Sequence, residues 1–93
     1  FMPIAIIEGA KYKNLSASAL VKTGAGKAIA IVVNSHTGGT IKLWDALTAV
    51  APILVNTYTF ATGSQVIPLY GAEFKIGLYA TLSATADVTI LYI

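Results

Sequence analysis

The feature that most constrains this chain is its period-two hydrophobicity, clearest between Ala28 and Asp45, AIAIVVNSHTGGTIKLWD. Ile29, Ile31 and Val33 share one face of an apolar strand. Ile41 and Leu43 share one face of the next, opposite Lys42 and Trp44. The Asn34–Gly39 segment between them carries turn chemistry, so the pattern predicts a β-hairpin whose aliphatic face is core.

The rest of the chain repeats this theme. Residues 2–9 are expected as a short edge strand entered by Pro3. Residues 12–23 hold a second strand in which Val21 faces away from Leu20 and Lys22. Residues 46–52 read as a loop, since ALTAVAP is too short for a stable helix before Pro52. Ile53 to Phe60 is a strand with Leu54, Asn56, Tyr58 and Phe60 on one side. A short extended segment, 65–70, is interrupted by Pro68 and placed at an edge, and Gly71-Ala72 turns the chain. Residues 73–81 alternate Phe74, Ile76, Leu78 and Ala80 against Lys75, Gly77 and Tyr79, and pair with 87–93 in a last hairpin. That final apolar strand is expected to be tied into a sheet or completed at an edge by another subunit. Six to eight short strands without a crossover helix predict an all-β, small antiparallel β-sandwich, jelly-roll-like, with an up-and-down barrel as the alternative.

Length bounds the rest. Ninety-three residues make a single domain, 1–93, with a modest core. There is no cysteine to staple it. Hydrophobic residues reach 56% and charged ones 11%, well under the usual quarter. Such a surface suits a subunit covered by neighbours, or a secreted or particle-bound protein, better than a freely diffusing monomer. Six lysines, no arginine and a net charge of +2 argue against nucleic acid, which calls for clustered Lys and Arg. No signal peptide or membrane span is visible, and no membrane partner is expected.

Candidate chemistry is sparse. Gly24-Ala25-Gly26-Lys27 is read as an ordinary turn. A phosphate-binding loop would need a further glycine where Val21 stands, a Ser or Thr where Ala28 stands, and a helix afterwards. His36 is the only histidine, expected as a solvated or interface loop residue without a triad partner. The four acids are scattered, although Glu8 could meet Glu73 or Asp87 in space. Asp45 is expected to start a turn. No catalytic residue, metal site or cofactor is implied, and the chain is read as not an enzyme. The aromatics say more. If the aliphatic faces pack inward, Trp44 and Tyr79 point outward on a charge-poor sheet, as interface residues do. Trp44, Lys42, Tyr79, Tyr58, Tyr92 and His36 are therefore the candidate contact residues.

Three runs carry a family resemblance: LVKTGAGKAIAIVVNSHTGGTIKLWDALTA, ILVNTYTFATGSQVIPL and GLYATLSATADVTILYI. Over roughly residues 20–93 the chain resembles small β-sandwich structural proteins of tailed bacteriophages, which decorate or cement the capsid or serve as head and tail accessory parts. The marks are the KTGAGK turn, the GTIKLWD strand and the terminal ADVTILY strand. The resemblance implies a homo-oligomer, often a trimer, standing on the major capsid protein at the virion surface. The competing reading is a β-sandwich binding module for carbohydrate or a host surface, with Trp44, Tyr58 or Tyr79 as platform.

Overall fold

The computed structural model describes residues 9–93, which form eight strands and no helix. In chain order they are β1 (Lys11–Leu15), β2 (Ala19–Thr23), β3 (Gly26–His36), β4 (Thr40–Trp44), β5 (Ile53–Thr59), β6 (Gln65–Phe74), β7 (Gly77–Leu82) and β8 (Ala86–Tyr92). They build two four-stranded sheets, ordered β1-β8-β3-β6 and β2-β7-β4-β5. Every pairing is antiparallel. Only β4 and β5 are both consecutive and paired; every other connection crosses between sheets. This is jelly-roll connectivity, as the strand pattern predicts. The edge strand expected over 2–9 lies outside the described residues save for Gly9.

The expected Ala28–Asp45 hairpin does not form. β3 lies in one sheet and β4 in the other, because two strands with matching aliphatic faces bury more by facing each other across a core. Ile31 and Val33 thereby pack opposite Ile41 and Leu43, all fully buried. The chain turns this corner at Gly38 and Gly39, with φ of 89° and 110°. A side chain on Gly39 would also collide with the Ser83 carbonyl. The last expected hairpin is corrected for the same reason. Residues 73–81 break at Lys75-Ile76, so Phe74 ends β6 in one sheet while Leu78 and Ala80 lie on β7 in the other. Both sides still reach the core, but Ile76 is left exposed in the turn.

Bulges account for the remaining differences. β3 slips register between Ala28 and Ala30 against both neighbours. A bulge reverses which residues face inward. Ala28 is therefore buried before it and Ile31 after it, and Ile29 is only half-buried rather than core. Gly71, expected to turn the chain, instead joins Tyr70 in a positive-φ bulge inside β6. β5 also shifts register, so Val55 and Tyr58 lie opposite Leu43 and Ile41, although strict alternation separates them. Pro68 does sit on an edge strand, where its missing N–H is harmless. The terminal strand β8 is tied in on both sides, between β1 and β3, and is not an open edge.

The core is uniformly apolar: Phe74, Leu78, Val88 and Ile90 join the four residues above, and no described polar side chain is buried. Ile31→Ala is expected to cost about 3 kcal/mol, and Ile29→Ala less than half of that, in urea denaturation. Equal losses would contradict the bulge. Gly39→Ala should be more damaging than Gly38→Ala, which faces open space; thermal melts of the pair check this.

Candidate functional site

The outer face of the β2-β7-β4-β5 sheet carries a row of large side chains running across all four strands. Leu20 stands opposite Tyr79, Tyr79 opposite Trp44, and Trp44 opposite Ile53. Directly opposed residues share a face, so the alternation that buries Ile41 and Leu43 turns these four outward. Each is partly exposed. Lys42 lies one step along β4, with Nζ 4.3 Å from the centre of the Trp44 ring. The cation thus rides on the aromatic face and adds little free charge to the row. The Trp44 indole N–H donates to Thr81 Oγ1 at 3.3 Å.

Further apolar side chains are exposed at one end of the sandwich: Leu47 and Val50 on the β4–β5 loop and Ile76 on the β6–β7 turn. Asp45 joins these two segments. Its Oδ1 accepts from the backbone N–H of Ile76 at 2.8 Å and of Lys75 at 2.9 Å, with Gly77 at 3.4 Å. Its own N–H donates to the Pro52 carbonyl at 2.9 Å. Desolvation pushes the Asp45 carboxyl upward, but the amides of Ile76, Lys75 and Gly77 and the Lys75 charge outweigh it. The carboxyl is held below its ordinary 3.8. Asp45 does begin a turn, as expected, and it also fastens a turn 30 residues away, which local sequence does not encode.

The other candidates fall elsewhere. Tyr58 and Tyr92 pack against the core cluster, and the Tyr58 hydroxyl donates to Gln65 Oε1 at 3.1 Å. His36 ends β3 at the opposite end of the sandwich. Its Nδ1 accepts from the Gly38 N–H at 2.9 Å, and its Nε2 lies 2.6 Å from the Ala61 carbonyl. The ring sits 5.1 Å from that of Phe60. These bonds require the neutral tautomer with the proton on Nε2. His36 thus latches the end of β3 to the β5–β6 loop and is partly exposed. It is brought together with none of Trp44, Lys42 or Tyr79. Leu20 and Ile53, which complete the row, escaped the sequence reading because cross-strand opposition depends on register.

Gly24-Ala25-Gly26-Lys27 makes the β2–β3 turn. Gly24 takes a positive φ of 90°, whereas Gly26 is needed for space, since a Cβ there would meet the Ile93 carbonyl and the Phe74 ring. Among the described residues no three His, Asp or Glu side chains cluster at metal-binding distance. Among the described residues no helix is long and apolar enough to cross a membrane. Comparison with protein-family models, curated proteins and solved structures finds no match to this chain.

Because the folded carboxyl of Asp45 is lowered, its contribution is complete above pH 3.8 and is lost as pH falls through the folded value. Asp45→Asn should cost about 1 kcal/mol at neutral pH. The gap to the unsubstituted protein should narrow as pH falls below 3.8, read from denaturation midpoints.

Proposed function

We propose that this chain is a structural subunit of a virus particle, a capsid decoration or cement protein. In this reading it self-associates, with a trimer as the expected assembly, and docks on the major capsid protein. The observation that carries the proposal is the Leu20–Tyr79–Trp44–Ile53 row, with Leu47, Val50 and Ile76 also exposed at one end of the sandwich. A row of large apolar and aromatic side chains on an outer sheet face is characteristic of protein contact. The charge-poor composition and the resemblance to phage β-sandwich structural proteins support the same reading.

The carbohydrate reading of these aromatics has less support on this face. The indole N–H is engaged by Thr81 and the Lys42 ammonium by the ring, leaving few polar donors to orient a sugar over Trp44. The contact face therefore fits a protein partner.

Sedimentation velocity over a wide concentration range tests the proposal. Species heavier than the 9.7 kDa chain are expected, and the double variant Trp44→Ser/Tyr79→Ser should shift them toward monomer while keeping a cooperative melt. A clean monomer at the highest concentration would count decisively against self-association through this face.

A further inference from the structure

The outer face of the other sheet, β1-β8-β3-β6, has a different chemistry. Four polar side chains from three adjacent strands converge there. Asn14 on β1 donates through Nδ2 to Asp87 Oδ1 at 2.7 Å, to the Val88 carbonyl at 3.1 Å and to Thr89 Oγ1 at 3.2 Å, all on β8. From β3, Asn34 Nδ2 approaches the same Asp87 and Thr89 oxygens at 3.5 and 3.4 Å. All four side chains are at least partly exposed, so burial does not require them to be joined. The network instead fixes the orientation of two amides around one carboxylate. The Asn14 N–H groups are spent within the network, so among the described residues what faces outward is a set of acceptors, Asp87 Oδ2 and the two asparagine carbonyl oxygens, beside the Thr89 hydroxyl, which accepts in these bonds and keeps its own O–H as a donor.

Apolar surface flanks this set on both sides. Tyr12 lies two residues before Asn14 on the same face of β1 and is 74% exposed. On the far side Asn34 also lines a shallow groove of about 400 Å³ shared with Val32, Ser64 and Val66, and Val66 is 63% exposed. The band runs across four strands, about 14 Å at the usual strand spacing, the length of about three pyranose rings.

We propose that this face binds a neutral glycan. The adjacent hydroxyls of a sugar ring both donate and accept, and they match a carboxylate oxygen held beside amide carbonyl oxygens and the Thr89 hydroxyl donor. Charge-assisted bonds of this kind are the strong ones. The C–H face of a second ring stacks on Tyr12, which offers large rigid area at low entropic cost. Asp87 is the acidic group at the centre of the set and disfavours anionic sugars. The site lies on the sheet opposite the Trp44 row and uses none of its residues, so docking through one face leaves the other free to meet a glycan.

A printed array of neutral and acidic glycans, probed with the labelled full chain, tests this. At least one neutral glycan should be retained. Asp87→Ala and Tyr12→Ala should each weaken its binding about tenfold, while both variants keep their thermal transition. With the retained glycan in solution, nuclear magnetic resonance shifts should centre on the amides of Tyr12, Asn14, Asn34, Asp87 and Thr89. No retained glycan, retention unchanged by both substitutions, or shifts centred on Trp44 and Tyr79 would overturn the proposal. So would a response of these amides to calcium chloride alone without any to glycan, which would mark a cation site. Sedimentation reads the Trp44 face independently, so failure of one reading is distinguishable from failure of the other.

Discussion

Everything in this molecule depends on two sheets pressing purely aliphatic and aromatic inner faces together. No described polar side chain is buried between them, so cohesion is non-directional and tracks the apolar area removed from water. Such a core tolerates no single pairing rule: it asks only that Ile31, Val33, Val88 and Ile90 face Ile41, Leu43 and Leu78. The bulges in β2, β3 and β5 follow from that demand. Those in β3 and β5 reverse the local alternation, so that Ile31 and Tyr58 turn toward the core where strict period two would turn them out.

The two ends of the sandwich are secured differently. At one, polar contacts between loops do the work: His36 holds Gly38 and Ala61, Ser83 receives the Thr40 N–H, and Phe60 donates to the Gly39 carbonyl. At the other, one carboxylate gathers three backbone amides of the β6–β7 turn. With no disulfide in the chain, these clasps limit fraying where the sheets cease to cover each other. Asp45 also ties the start of the loop bearing Leu47 and Val50 to the turn that carries Ile76.

The two outer faces divide the surface chemistry. One presents Leu20, Tyr79, Trp44 and Ile53 in register; the other presents Asn14, Asn34, Thr89 and Asp87 around a shared carboxylate oxygen. A jelly roll permits this because every strand has one committed face and one free face, and its two sheets expose their free faces in opposite directions.

Period two by itself determined that the chain is all-β, that Ile31, Val33, Ile41 and Leu43 are core, and that Trp44 and Lys42 face away from it. Those properties are local, set by the pleat and the apolar alternation. Pairing was decided only in three dimensions. β3 and β4 look like a hairpin in sequence because Asn34–Gly39 has turn chemistry, yet the same glycines equally serve a corner between sheets. Global burial makes the choice. The same holds for Ile29, displaced by a bulge, for His36, whose partners are 25 residues away or hidden in backbone, and for Asp45, whose amides lie on a distant turn. The sequence alone determined which side chains stand on a face; the tertiary structure decided which of them stand together, because register and crossing are set by the fit of the whole core.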